Sequence, residues 1–259
     1  MEEIAARRAA DTLVAEHKAN TRFKTLAPPD GPVTISDAYD IQEKYVALLK
    51  GAQGDAVGYK VALTSAAMQK FCGIDHPLSG VVLARRVHKS GATVRRTDFG
   101  RLGLEFEVAV RLKSDLPSRP YTAETIAPHI DGVCAAFELV DDRGADYGNL
   151  DVRSLVADNA WNGGIVLSEF AGKWPDLESM HGRATRDGAA LGEGFGRDIL
   201  GHPFNSAAWL ATQLASRGVG LKAGQLVMTG SVIKTVFPEE AADYRFEFKG
   251  LGAVEMRVS

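Results

Sequence analysis

Three glutamates in strand-like segments constrain this chain more than any other feature. Glu105 and Glu107 lie in LEFEVAV, where residues two positions apart point to the same face of a strand. Glu138 lies inside the apolar run AAFELV, where a buried and unpaired carboxylate would be strongly destabilising. Any fold of this chain must therefore bring a cation or a basic partner to Glu138.

The three carboxylates together predict an all-oxygen site for a hard divalent cation. Magnesium or manganese suits such ligands, whereas zinc and copper would recruit His or Cys, which are absent from the pattern. The alternative for Glu105 and Glu107 is the solvent-exposed face of a half-buried strand. Glu138 favours the metal site, because its apolar flanks leave it no solvent-exposed face.

The length and composition are typical of an ordinary soluble protein. With 259 residues and 45% hydrophobic content, the chain can bury a sizeable core. Its net charge of -3 and scattered basic residues indicate neither nucleic-acid nor anionic membrane binding. No segment resembles a signal peptide or a membrane span, so we expect a cytoplasmic protein.

The hydrophobic pattern changes character near residue 57. Residues 2–19 predict a helix, and a second helix is predicted to open at Thr34 or Ser36 and to end at Gly51. We therefore predict a helical N-terminal segment over 1–56 and a sheet-rich domain over 57–259.

The sheet-rich part contains few helices. Eight segments have the character of strands. Three helices are predicted near 65–72, 122–130 and 206–217, too few for a strictly alternating βαβ fold, so the predicted class is α+β. The strand-like segments are VGYKVAL, GVVL, LEFEVAVRL, GVCAAFELV, GGIVLS, QLVMTGS, YRFEFKG and GAVEMRV.

Lys60 is the candidate for proton transfer. In VGYKVAL it shares its strand face only with the small residues Gly58 and Ala62, which suits a lysine reaching into a cavity. Desolvation or a nearby cation would lower its pKa there. An exposed strand lysine is the alternative.

Five motifs resemble one enzyme family, in its order and spacing. They are GYKVALTSAAMQKFCGID, LEFEVAV, AAFELVDDR, VADNAWNGGIVLS and LGHPFNSAAWLA. Together they resemble the 2-keto-4-pentenoate hydratase and 4-oxalocrotonate decarboxylase branch of the fumarylacetoacetate hydrolase superfamily, from about Val57 to the C-terminus.

The resemblance implies a mixed β-sandwich or rolled-sheet core of the fumarylacetoacetate hydrolase C-terminal type, after a helical N-terminal segment. It also implies Mg²⁺ or Mn²⁺ held by Glu105, Glu107 and Glu138, with Lys60 moving a proton on a 2-keto acid or its dienol. We expect a homo-oligomeric lyase of aromatic compound catabolism that adds water to a 2-hydroxy-2,4-dienoate.

Departures from the family pattern keep two alternatives open. GIDHPLSG retains Asp75, our second catalytic candidate, but has Leu78 where hydratases have an acid. Decarboxylase relatives also have an apolar residue there, yet their lysine segment differs from this one, which carries Met68 and Gln69. The alternatives are a 4-oxalocrotonate-type decarboxylase and a non-catalytic keto-acid binder. In addition, Leu102-Gly103 replaces the Pro-Arg that usually precedes the first ligand.

Four further residues match segments that surround the substrate in relatives. We predict substrate contacts from Asp158, His202, Thr229 and Ser231. The alternatives are local: Asp158 suits a turn, and His202 could fix the start of a helix.

Overall fold

Twelve strands form two mixed sheets. The computed structural model describes residues 1–259. The strands are β1 (Ala56–Ala62), β2 (Leu78–Leu83), β3 (Val87–Lys89), β4 (Ala92–Val94), β5 (Leu102–Leu112), β6 (Ile130–Asp141), β7 (Asn162–Leu167), β8 (His181–Arg186), β9 (Ala189–Phe195), β10 (Leu226–Ser231), β11 (Ala242–Phe248) and β12 (Gly252–Val258).

The larger sheet has the order β2-β1-β10-β5-β6-β7-β3, and the smaller has the order β4-β12-β11-β8-β9. Three pairs are parallel, β1 with β10, β3 with β7, and β4 with β12, and the remaining pairs are antiparallel. The predicted α+β class with a mixed sheet core is confirmed.

Six α-helices accompany the sheets. They are α1 (Glu3–Lys18), α2 (Ile35–Gln53), α3 (Ala66–Phe71), α4 (Ala123–Ile126), α5 (Val152–Ala157) and α6 (Pro203–Ser216).

Helix α2 begins as predicted and ends later than predicted. Thr34 and Asp37 form a reciprocal capping box, in which each side chain accepts the other's backbone N–H. The predicted end at Gly51 is wrong, because the helix continues to Gln53 and stops where Gly54 adopts a φ of 81°. No helix is long and apolar enough to cross a membrane.

Strands β5 and β6 have two chemically different faces. Phe106 of β5 and Phe137 of β6 point into the main core, where both rings contact Phe246 of β11 edge-on or tilted. The alternate residues point to the opposite face and include Glu105, Glu107 and Glu138. The smaller sheet thus covers one face of the larger sheet and leaves the acidic face free for a site.

A second hydrophobic cluster joins the N-terminal helices to the acidic face. Residues of α1 and α2 pack with Leu155, Val140 and Trp161 in one group of 17 buried residues. The helical segment therefore shares its core with the region that surrounds the site.

Candidate metal centre

The register of β5 and β6 brings the three glutamates together. Glu105 is paired directly with Glu138, and Glu107 is paired with Ala136. One carboxylate oxygen from each of the three glutamates lies within 4.8 Å of the others. Glu107 and Glu138 are 0% exposed, whereas Glu105 is half-buried at the edge of a cavity.

Each carboxylate is held by a neighbouring donor. The hydroxyl of Thr235 donates to Glu105 (2.8 Å), and the backbone N–H of Gly230 donates to Glu107 (2.7 Å). For Glu138, the Asn162 amide donates to Oε1 at 2.9 Å. These contacts fix the orientation of the carboxylates without occupying all of their oxygens.

Two buried oxygens have no protein partner. Oε1 of Glu107 and Oε2 of Glu138 are buried and accept no hydrogen bond. Unpartnered buried carboxylate oxygens are costly unless a cation binds them. The Nζ of Lys60 lies 3.2 Å from Oε1 of Glu138, so three carboxylates and one ammonium leave two formal negative charges. This donor set fits one hard divalent cation.

The buried groups shift one another's pKa values. Burial raises the pKa of Glu107 well above its ordinary value, and the nearby Glu138 and Glu105 raise it further. Burial also raises the pKa of Glu138 to about 7, although Lys60 opposes that shift.

The carboxylates around Lys60 oppose the lowering of its pKa that burial alone would cause. Burial favours the neutral amine of Lys60, but the surrounding carboxylates, Glu138 first, outweigh burial and raise its pKa. Bound cation charge would act in the opposite direction by neutralising the carboxylates.

Small residues make room for the lysine. Lys60 lies on β1 opposite Gly80 of β2, and a Cβ on Gly80 would lie 3.2 Å from the Lys60 Cδ and 2.5 Å from the Asn159 carbonyl oxygen. A Cβ on Gly58 would lie 2.3 Å from the Leu226 carbonyl oxygen. Glycine at these two positions therefore allows close backbone approach around the lysine, and Gly58 is one of the small residues noted in the sequence.

A bulge in β10 places the backbone N–H of Gly230 next to Glu107. The register between β10 and β5 shifts between Met228 and Ser231. Within this bulge Gly230 has a φ of 112°, and its position would place a Cβ 2.3 Å from the Thr64 hydroxyl oxygen. Glycine is required there on both grounds.

The segment before β7 has an unusual backbone. Asn159, Ala160 and Trp161 have φ values of 52°, 45° and 58°, a left-handed conformation in three consecutive non-glycine residues. The Asn159 side chain holds the segment by exchanging two hydrogen bonds with the backbone of Val81. The chain then enters β7 with Asn162 directed at Glu138.

A cavity of about 620 Å³ adjoins the metal centre. Lys60, Glu105 and Ser231 are among its 24 lining residues, of which 15 are hydrophobic. The volume and the mostly apolar lining with a few polar groups are typical of a small-molecule site.

The structure places the predicted residues in two groups. Glu105, Glu107, Glu138 and Lys60 lie together, and Ser231 lies in the cavity wall, where its hydroxyl donates to the Ile233 carbonyl at 2.7 Å.

Four predicted residues lie outside the cavity lining. Asp75 is exposed, and buried Thr229 donates to the Val108 carbonyl at 2.8 Å. Asp158 is buried and binds Arg143 and His17, each at 2.6 Å. His202 accepts the Phe204 N–H at the start of α6. Thr229, Asp158 and His202 therefore make contacts within the protein. The roles predicted for these three in substrate binding, and for Asp75 in catalysis, stay predictions.

Sequence reasoning missed the two side-chain donors to the carboxylates. Asn162 was inside a quoted motif but was not singled out, and Thr235 follows β10 without any motif. Only the pairing of distant strands brings them to the glutamates. An isolated polar residue at the start of an apolar strand, as at Asn162, was the available signal.

The mixed sheet core and the three-carboxylate centre are the features of a class of metal-binding proteins. Comparison of the sequence with known protein families identifies which family this is. The fumarylacetoacetate (FAA) hydrolase C-terminal family matches residues 59–259, and this chain belongs to that family. The resemblance inferred from the five motifs is confirmed.

Individual relatives cover almost the whole chain. A 2-keto-4-pentenoate hydratase from Burkholderia vietnamiensis is 33% identical over 92% of each chain. A 2-hydroxyhexa-2,4-dienoate hydratase from Comamonas testosteroni is 30% identical and covers 93% of this chain and 94% of its own. Among solved structures, a 4-oxalocrotonate decarboxylase from Pseudomonas putida G7, complexed with magnesium and adipate, superposes with a TM-score of 0.93 at 26% identity, covering 100% of this chain and 99% of its own.

Proposed function

We propose that this chain is a metal-dependent hydro-lyase that adds water to a 2-hydroxy-2,4-dienoate. The observation that carries the proposal is the buried set of Glu105, Glu107 and Glu138, with two unpartnered oxygens beside Lys60 and a cavity. The two hydratases described above support the reaction class.

Glu105, Glu107 and Glu138 would hold the divalent cation, for which we propose Mg²⁺ or Mn²⁺. When bound, the cation would supply Lewis-acid polarisation of the adjacent carboxylate and C2 oxygens of a 2-keto acid or its dienol. Thr235, Gly230 and Asn162 keep the three carboxylates in place.

Lys60 is the proposed proton carrier. Its ammonium borders the cavity and is buried beside Glu138, so water competes little for its protons. Loss of the enol O–H proton and transfer of a proton to the far end of the dienol give an α,β-unsaturated ketone. Conjugate addition of water, with OH on C4 and a proton on C3, then gives a 4-hydroxy-2-keto acid. The apolar walls limit the number of water molecules around the reacting chain.

The replacement at position 78 does not weaken the hydratase proposal. Leu78 is fully buried with the N-terminal helices and lies outside the cavity lining. Its side chain therefore forms no part of the wall of the cavity proposed for the substrate.

Decarboxylation remains the second candidate, because the P. putida decarboxylase superposes over the full chain. The deciding experiment incubates the protein and Mg²⁺ separately with 2-hydroxypenta-2,4-dienoate and 4-oxalocrotonate. Loss of dienoate absorbance with formation of 4-hydroxy-2-oxopentanoate supports hydration. Release of carbon dioxide from 4-oxalocrotonate, without a hydrated product from the dienoate, would show that the enzyme is a decarboxylase and not a hydratase. Absence of turnover with both compounds would favour a non-catalytic keto-acid binder.

Three other expectations stay proposals. We propose a cytoplasmic, homo-oligomeric enzyme that acts in aromatic compound catabolism, consistent with the substrates in the relatives' names. Light scattering on the eluting protein tests the assembly, and a single-chain mass would contradict it.

A further inference from the structure

The cavity extends from the metal centre along predominantly apolar walls. Val140, Leu155 and Trp161 contribute from the cluster shared with the N-terminal helices, and Met68 and Phe71 contribute from α3. A volume of about 620 Å³ is in the range of pockets that enclose drug-sized ligands. A five-carbon dienoate is much smaller than that and would leave much of the apolar wall uncovered.

Few charged groups remain for the distal end of a substrate. Four lining residues are charged: Lys60, Glu105, Asp198 and Lys234. Lys60 is paired with Glu138, Glu105 belongs to the metal centre, and Asp198 accepts the Phe195 N–H at 2.7 Å. Lys234 is exposed to solvent and is the one lining cation outside the metal centre.

This distribution of charge distinguishes between two kinds of substrate tail. A second carboxylate inside the cavity would lose hydration and could gain only the exposed Lys234 as an ionic partner. An alkyl or aryl group would instead exchange water for contact with Leu155, Met68 and Trp161. The lining favours the apolar tail.

We propose that the substrate carries a bulky apolar substituent, an alkyl chain of several carbons or a phenyl ring, at the end distant from its 2-keto acid or 2-hydroxydienoate group. This inference rests on the proposed function for the reacting end of the molecule. The substituent remains unchanged during hydration and serves to position the substrate in the cavity.

Binding of non-reacting keto acids tests the tail independently of turnover. Calorimetry on the Mg²⁺-loaded protein compares pyruvate, 2-oxohexanoate, 2-oxooctanoate and the dicarboxylate 2-oxoadipate. Because each buried methylene contributes up to about a fourfold factor, 2-oxooctanoate should bind at least about tenfold more tightly than pyruvate. It should also bind more tightly than 2-oxoadipate.

Equal affinities, or tightest binding of 2-oxoadipate, would overturn the inference. Loss of a 2-oxoadipate preference in Lys234→Met would then identify Lys234 as the receptor of an acidic tail. Met68→Gln should reduce the ratio of 2-oxooctanoate to pyruvate affinity severalfold, since Met68 lines the cavity without being fully buried. The control Val219→Ser alters an exposed apolar residue outside the lining and should leave that ratio unchanged.

Turnover separates this inference from the proposed function. The 5-butyl and 5-phenyl derivatives of 2-hydroxypenta-2,4-dienoate should exceed the parent in kcat/KM by about tenfold or more. If the protein hydrates the parent dienoate but neither derivative, the inference of an apolar substituent is wrong and the proposed hydratase activity stands. If 2-oxooctanoate binds tightly but no dienoate is turned over, the apolar substituent is supported and the proposed hydratase activity is contradicted.

Discussion

Glu138 has one carboxylate oxygen bound by Asn162 and Lys60 and one without a protein partner. Glu138→Gln keeps the shape of the side chain but removes the charge, so divalent-metal affinity should fall by at least about tenfold, with loss of turnover. Isothermal titration with Mg²⁺ measures the affinity. Glu169→Gln, a change at an exposed glutamate, is the matched control, and equal affinities in the two variants would remove Glu138 from the site.

Proton competition at the same carboxylates makes metal binding depend on pH. The raised pKa values of Glu138, about 7, and of Glu107 mean that both carboxyls bind protons at mildly acidic pH. Metal must displace those protons, so affinity should rise with pH by up to about tenfold per unit for each displaced proton, until both raised pKa values are passed. Titration in two buffers of different ionisation enthalpy counts the protons released. Affinity that is independent of pH would show that the carboxylates are already ionised.

Lys60 should act on protons rather than maintain the fold. Lys60→Met retains much of the aliphatic stem and removes the ammonium beside Glu138, so kcat should fall about 100-fold or more. The control is Lys89→Met, which alters an exposed lysine of β3. Near-normal kcat in Lys60→Met, with the protein folded by circular dichroism, would exclude Lys60 from the mechanism.

At the scale of elements, a buried ion-pair network ties α1 to the left-handed segment before β7. Arg143 binds both Glu16 of α1 and Asp158, and His17 of α1 binds the second oxygen of Asp158. The side chains of Arg143 and Asp158 are 1% and 0% exposed. Asp158 is followed directly by Asn159, Ala160 and Trp161, so the network holds the start of the segment that leads to Asn162.

Removing Asp158 should therefore destabilise the protein strongly. Asp158→Ala leaves the buried Arg143 guanidinium without its main partner and should reduce the free energy of unfolding by about 3–5 kcal/mol. Urea denaturation measures the change. Asp131→Ala, which breaks the exposed pair with Arg111, is the control and should cost about 1 kcal/mol or less. Similar losses in both variants would contradict a structural role specific to Asp158.

Local pattern predicted some elements well and others poorly, for physical reasons. Strands β5 and β6 were found because buried apolar residues dominate them. Strands β8 and β9 were missed because HGRATR and AALGEGF carry few large apolar residues. Pairing of β8 with β11, and of β9 with β8, forms them instead. Gly51 did not end α2, because a helix tolerates an interior glycine; Gly54, with its φ of 81°, follows the last helical residue instead.

The residues of the metal centre also differ in how far the sequence alone could identify them. Glu138 could be identified because a carboxylate in an apolar run conflicts with its surroundings, and that conflict is visible locally. Asn162, Thr235 and Gly230 could not, because their roles depend on the register of strands distant in sequence. Asp158 was predicted to contact the substrate, and no local pattern indicated that its carboxylate binds Arg143 and His17 in the fold.

At the scale of the whole molecule, the division into a helical segment (1–56) and a catalytic domain (57–259) describes the order of elements along the chain. The two parts share 17 buried residues, including Leu13 of α1, Ile41 of α2 and Leu155 of α5. That shared core also contains Val140 and Trp161 of the cavity wall. We therefore expect the helices to be required for the shape of the cavity.

The metal centre should also contribute to global stability, because it joins β5 and β6 at the middle of the larger sheet. A ligand that binds only the folded state, at about 100 times its Kd, stabilises it by about 2.7 kcal/mol. For a chain of this length, that corresponds to a rise in Tm of about 5–10 °C. Scanning calorimetry with Mg²⁺ or with EDTA measures the shift. Glu138→Gln should remove most of the metal-dependent rise, whereas Glu169→Gln should retain it, and an identical rise in both would locate the stabilising cation away from the three glutamates.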